Sequence, residues 1–313
     1  MAIGPAQVDL SSAFIGDDNK LTELAHVLGN SLHDLGIVYL VGHGIDLKLI
    51  DRVFDTSKEL FDLPAETKKK YSKNNLLNHF SGFAEIGIET LGTDPENTFE
   101  LKEAFDISIP RPVFPDILPE FQNAVQECTT AIENLKEIIF KLLAKAINID
   151  ENIFLNNSGK YSDDAQNYTA FRALRYPQVP EDYTVTNKTR CAEHYDWTIV
   201  TFLFQDSVGG LEVKTQDGTW IDANPLPGSI ILFAGEILEA WTRGYFPAVY
   251  HRILLSEEDE RLRRDRYSFG YFIFPDDDFV VNPFDKTKLL QNDSTFTPVT
   301  VRSLIQGHVS QAY

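Results

Sequence analysis

The chain has 313 residues, 43% hydrophobic and 24% charged, with a formal net charge of −19 at pH 7. That is enough apolar material for one large domain without staples, and the negative charge disfavours a nucleic-acid partner or an anionic membrane surface. Two isolated cysteines, Cys128 and Cys191, exclude a disulfide framework or a thiolate zinc finger and fit a reducing compartment.

The start, MAIGPAQVDLSS, lacks a basic segment followed by an apolar one, and apolar runs such as SIILFAG fall far short of a bilayer span. A soluble cytoplasmic protein is expected, with a monomer favoured. Over residues 19–35, Leu21, Leu24, Val27, Leu28, Leu32 and Leu35 recur at helical spacing, and Gly36 stands where a C-cap belongs. IVYLVGHG reads as a buried strand, and residues 47–63 as an amphipathic helix ended by Pro64. The run Lys68-Lys69-Lys70 reads as a solvated helix end. Glycines around residues 80–87 suggest a loop or bulged strand, AFDIS a strand, and residues 119–149 a long helix with a broad apolar face.

After about Tyr168 the character changes to short strands: FRALRYP, TIVTFLFQD, GLEVKT, WIDANP, GSIILFAG, VYHRILLS and RYSFGYFIFP. Turn signals at Asp217-Gly218, Pro227-Gly228 and Arg243-Gly244 punctuate them, as in an antiparallel barrel or two-sheet jelly roll. The expected class is α+β: one domain over 1–313, helix-rich to about 165, with a jelly-roll core and C-terminal tail over about 166–313.

The stretch RCAEHYDWTIVTFLFQD, residues 190–206, has the β-branched and aromatic residues of a strand, yet it begins with His194 and Asp196, two positions apart and so on one strand face. Seven histidines among 47 acids in 313 residues give about one such doublet by chance (7 × 47/313), so a third ligand is needed. His251, in AVYHRILLS and 55 residues beyond Asp196 (251 − 196), supplies it. Two imidazoles and a carboxylate that leave adjacent positions open are the ligand pattern of non-haem Fe(II) oxygenases; a structural zinc site wants four ligands, usually thiolates. On spacing alone, a metal site and buried, hydrogen-bonded histidines fit equally well. His26, His33, His43 and His79 lie in the helical half and are expected to be structural, His43 the most buried.

Arg266 and Ser268 in RYSFGYFIFP are again i and i+2. An arginine turned into an apolar barrel needs an anion, and its fork suits a carboxylate; the alternative is an edge-strand arginine in solvent after SEEDERLRRDR. The sequence contains no HExxH, GxSxG or phosphate-cradling P-loop.

These residues carry a resemblance. The sequence resembles the isopenicillin N synthase-like branch of the iron and 2-oxoglutarate dependent oxygenases, whose His-x-Asp, distant His and Arg-x-Ser are matched by His194, Asp196, His251, Arg266 and Ser268. VDLS, GIVYLVGHGI, FDLPAETKKKY and KEAFDIS look like that family's helical-domain phrases. HYDWTIVTFLFQDSVGGLEV, GTWIDANPLPGSIILFAGEIL and HRILL are similar to fungal thymine hydroxylases and, more loosely, to bacterial cephalosporin ring-expanding synthases.

The resemblance implies a double-stranded β-helix core with Fe(II) on His194, Asp196 and His251. It implies that 2-oxoglutarate binds the iron and pairs its far carboxylate with Arg266 and Ser268, that Tyr176 hydrogen-bonds this cosubstrate, and that O2 is consumed with release of succinate and CO2. Hydroxylation of a small molecule is the favoured outcome; desaturation, ring closure and ring expansion use the same chemistry, while Asp196 fills the place a halide would need. The chain departs from plant members in Leu174-Arg175-Tyr176-Pro177, where many carry Asn-Tyr-Tyr-Pro, and in Trp197, where proline is frequent, so the substrate stays open. One or both of Arg175 and Trp197 are expected to border the substrate pocket, against a surface salt bridge for the first and plain core for the second. Two other classes remain: an iron oxidase independent of 2-oxoglutarate, and a binding or sensor protein that lost turnover.

Overall fold

A computed structural model of the chain describes residues 4–15, 17–73, 81–89, 99–159, 167–179, 188–254, 260–284 and 297–312. β1 (Ala6–Asp9), which has no clear sequence signal, lies parallel to β2 (Ile37–Val41). Between them runs α1 (Asp18–Leu35), started by the Asp17 carboxylate, which accepts the Asn19 and Lys20 N–H groups. Gly36 ends it at φ 72°, its N–H on Leu32 O, and a Cβ there would meet Pro247 O at 2.3 Å, so only glycine turns the chain into β2.

Asp46 starts α2 (Leu47–Phe61), and Pro64 opens the single turn α3 (Ala65–Lys68). Here one expectation fails. Lys68 is not a solvated helix end: it is 9% exposed, with Nζ on Phe61 O at 2.8 Å and Glu103 Oε2 at 2.7 Å. β3 (Gly82–Ala84), β4 (Phe99–Glu100) and β5 (Glu103–Ser108) follow, then α4 (Pro119–Ala146), which packs on α1 and α2.

The rest of the chain supplies β6 (Ala170–Tyr176), β7 (Lys188–Thr189), β8 (Cys191–His194), β9 (Val200–Gln205), β10 (Glu212–Lys214), β11 (Trp220–Asp222) and β12 (Ile230–Ala234). A short α5 (Glu236–Trp241) precedes β13 (His251–Ile253) and β14 (Arg266–Ile273). β15 (Val280–Val281), β16 (Val299–Thr300) and α6 (Val301–Ala312) complete it.

Among the described residues the large sheet runs β1-β2-β12-β9-β14-β6-β5-β3 and the small one β11-β10-β13-β8. Period-two alternation assigns the two faces of the large sheet. Ile230, Leu232, Phe202, Phe204, Phe269 and Phe171 join the core under α1, α2 and α4, while Ile231, Phe233, Leu174 and Tyr176 pack with Leu211, Val213 and Ile253 between the sheets. This is a jelly-roll core with helices on one side. The N-terminal region is nonetheless more than helical, since β1, β2, β3 and β5 are half the strands of the large sheet.

Candidate functional site

The run 190–206 is not one strand. β8 ends at His194 in the small sheet and β9 begins at Val200 in the large one, so Asp196 lies in the crossing between them rather than on a shared strand face. The N-terminus of α5 pins that crossing: Glu236 N–H bonds to Asp196 O at 2.8 Å, Ile237 N–H to Thr198 O at 3.1 Å, and Gly235 N–H to Ile199 O at 3.0 Å. β13 pairs with β8 so that His251 stands opposite His194, ring centres 4.3 Å apart.

The three side chains converge. One ligand atom from each of His194, Asp196 and His251 lies within 4.8 Å of the others, and Asp196 Oδ1 is 3.9 and 3.8 Å from the two Nε2 atoms. His194 Nδ1 is 2.8 Å from Ala192 O and His251 Nδ1 3.2 Å from Val249 O; as donors there, both leave Nε2 with a lone pair facing the carboxylate. Burial holds both imidazoles below the ordinary histidine range, and for His251 the neighbouring His194 adds to it, down to about 4, against the attraction of Asp196. Two neutral imidazoles and a carboxylate aimed at one point are a donor set that fits a divalent iron.

The remaining histidines sort differently. His43 is buried, its Nδ1 taking the Ile45 N–H and its Nε2 facing Gly228 O. His33 stacks on Tyr245 and His26 is exposed, while His79 lies outside the described residues. His308 pairs with Glu236 at 2.7 Å.

Arg266 opens β14 opposite Tyr176 of β6 and is 1% exposed. Among the described residues its hydrogen-bond partners are all neutral: Gly209 O at 2.9 Å, Ser268 Oγ at 3.3 Å and Gln205 Oε1 at 3.3 Å, with its guanidinium carbon 4.8 Å from the Tyr176 ring centre. A buried guanidinium met only by neutral groups calls for an anion. Burial also pushes the Tyr176 phenol up, so it stays a neutral donor.

A cavity of about 380 Å³ joins these groups. Arg266, Ser268 and Tyr176, the two histidines and Asp196, and Trp197, Phe272, Phe274 and Ile305 all line it. Trp197 borders it, stacked on His308 with ring centres 4.5 Å apart. Arg175 does not line it: its guanidinium is 2.7 Å from Asp265 and 3.2 Å from Glu103. The alternation of β6 explains this, because Arg172, Leu174 and Tyr176 face the cavity and Arg175 the other side.

Arg172 lines the cavity instead, and counting back by twos from Tyr176 along β6 finds it. It belongs to a square of ion pairs with Glu89, Asp106 and Lys73, all but Glu89 lining the cavity: Lys73 is 2.7 Å from Glu89 and 2.5 Å from Asp106, and Arg172 is 3.2 Å from Asp106 and paired with Glu89. Lys73 and Asp106 carry no comparable sequence signal.

Comparison with known proteins matches residues 165–275 to the 2OG-Fe(II) oxygenase superfamily and residues 7–126 to the N-terminal model of non-haem dioxygenases in morphine synthesis. The chain belongs to the 2OG-Fe(II) oxygenase superfamily. It is 26% identical to a 2-oxoglutarate-Fe(II) type oxidoreductase of Emericella nidulans, covering 99% of this chain and 90% of that one. It is 27% identical to the 1-aminocyclopropane-1-carboxylate oxidase of Dictyostelium mucoroides, covering 86% and 81%. The full-length thymine hydroxylase of Neurospora crassa, solved in complex with alpha-KG and thymine, shares the fold at a TM-score of 0.82 and 24% identity over 98% of this chain and 96% of that one. This superfamily member is an Fe(II)- and 2-oxoglutarate-dependent oxidoreductase that uses O2. No helix among the described residues is long and apolar enough to cross a membrane.

Proposed function

We propose that His194, Asp196 and His251 hold the Fe(II), that Arg266 and Ser268 clamp the far carboxylate of 2-oxoglutarate with Tyr176 beside it, and that a small molecule is hydroxylated in the chamber bordered by Trp197, Phe272, Phe274 and Ile305. The observation that carries the cosubstrate assignment is Arg266, a fully buried cation whose described partners are neutral, in the same cavity as the triad. When bound, Fe(II) would supply O2 activation, with 2-oxoglutarate as the reductant: one oxygen atom would enter succinate as CO2 leaves, and the other would enter the substrate. The protein's own part is positional. The two imidazoles stay neutral as ligands, Arg266 and Ser268 fix the diacid's distance from the triad, and Leu174, Leu203, Leu211 and Phe233 exclude water. Toward the substrate, Arg172, Lys73 and Asp106 offer donors and an acceptor whose charges already balance with Glu89, which suits a polar but near-neutral molecule.

We read the chain as one oxygenase domain, monomeric and cytoplasmic, without a nucleic-acid partner, on its charge of −19 and its two unpaired, buried cysteines. The functional reading is tested by oxygen uptake. Succinate forming in proportion to oxygen consumed, with slow uncoupled turnover before a substrate is supplied, is the expected result. Oxygen uptake on some substrate with no 2-oxoglutarate present and no succinate formed would overturn it and leave Arg266 and Ser268 as clamps for a carboxylate of the substrate itself.

A further inference from the structure

Glu100 and Lys102 are 0% and 4% exposed, and the site as described above gives neither a task. They flank Leu101, whose N–H bonds to Thr189 O at 2.7 Å, and β4 pairs with β7, so this segment runs beside the chain as it enters β8. Lys102 Nζ donates to Glu100 Oε2 and lies 3.9 Å from Cys191 Sγ. The other carboxylate oxygen, Glu100 Oε1, accepts the Ala192 N–H at 2.9 Å, and the Ala192 carbonyl in turn receives His194 Nδ1–H at 2.8 Å.

Two features of the backbone make this chain of contacts more than packing. Among the described residues β8 is the edge strand of the small sheet, with no ladder partner on one side, so the Ala192 N–H needs an acceptor from elsewhere. On its other side the pairing with β13 shifts register between His251 and Ile253, so the ladder holds His194 through an irregular stretch. A buried ion pair gains little net stability over apolar residues of the same volume, which leaves orientation as its use here. Burial opposes the Lys102 charge, yet Cys191, Glu100 and Glu89 hold its ammonium above the ordinary lysine range.

We propose that Lys102 and Glu100 are positioning residues for His194: Lys102 fixes the carboxylate, the carboxylate fixes Ala192, and the Ala192 carbonyl fixes the tautomer and tilt of the imidazole. The proposal rests on His194 being a metal ligand.

Two neutral double variants test it. Glu100→Leu/Lys102→Met removes the acceptor without stranding a charge, whereas Glu100→Gln/Lys102→Met keeps an amide oxygen for the Ala192 N–H. Fe(II) is titrated anaerobically into each metal-free protein by calorimetry, and Co(II) is added separately for its visible bands, which report ligand geometry. The Leu/Met variant should bind Fe(II) roughly tenfold to a hundredfold more weakly than wild type, as losing an outer partner of a histidine ligand does, with an altered Co(II) spectrum. The Gln/Met variant should recover most of that affinity and the wild-type spectrum. A Leu/Met variant that binds Fe(II) like wild type, one that does not fold, or a Gln/Met variant no better than Leu/Met would each overturn the proposal. His194→Ala examines the underlying reading by itself: unchanged Fe(II) affinity in that variant would remove His194 from the metal site whatever the pair does.

Discussion

Arg172 and Arg175 stand three positions apart on β6 and face opposite ways, so one sequence stretch gives two arginines with different work. Arg172→Met should raise the KM of whichever small molecule sustains turnover about tenfold or more, the effect of losing one charged contact, while 2-oxoglutarate affinity stays near wild type. Arg175→Met should leave both constants alone and cost stability, on the order of 2 kcal/mol, between the values for exposed and buried pairs; thermal melts beside steady-state kinetics separate the two. His251 sets a pH dependence. Its folded pKa of about 4 lies below the ordinary histidine value of 6.5, so between those values the unfolded chain binds more protons and stability falls as pH drops. For the metal-free protein the loss from pH 7 to pH 4 should approach about 3 kcal/mol from this group, read from urea melts, and His251→Gln should flatten that slope.

At the scale of elements, the helices were legible because caps and periodicity agree: Asp17 and Gly36 bracket α1, and Pro119 opens α4. The triad was legible as residue types, not as geometry. His194 and Asp196 look like one strand face in the sequence because the segments on either side are both β-rich, and nothing local says that the chain changes sheets between them. The partner that fixes Asp196, the N-terminus of α5, is distant in sequence and too short for a periodic signal. Gly235 is where this junction is tightest. A Cβ there would meet Thr198 O at 2.3 Å and Thr198 Oγ1 at 2.5 Å. Gly235→Ala should therefore push the Thr198 backbone away, cost about 1 to 3 kcal/mol as overpacking does, and weaken Fe(II) binding through Asp196. Wild-type Fe(II) affinity in a folded Gly235→Ala protein would separate the junction from the site.

Over the whole molecule, the cavity lies where a large sheet built from both halves of the chain meets the small sheet that carries the two histidines. Sequence patterning reached the strands but not this pairing, because β5 and β6 are joined across the whole of α4. Since both sheets contribute to the site, its occupants should bind the folded state only. Fe(II) at a hundredfold excess over its Kd should add about 2.7 kcal/mol and raise Tm by roughly 5 °C, and a chelator should reverse the gain. In the proposed site, above all, a diacid spans from the triad to Arg266. The most direct measurement is an anaerobic titration of 2-oxoglutarate into the Fe(II)-loaded protein, followed by the weak visible charge-transfer band, in wild type, Tyr176→Phe and Arg266→Gln. The wild-type band should saturate. Arg266→Gln should need roughly thirtyfold to several thousandfold more 2-oxoglutarate, equivalent to about 2 to 5 kcal/mol, and Tyr176→Phe should lose nearer 1 kcal/mol. No band in wild type, or the same midpoint in Arg266→Gln, would contradict that span.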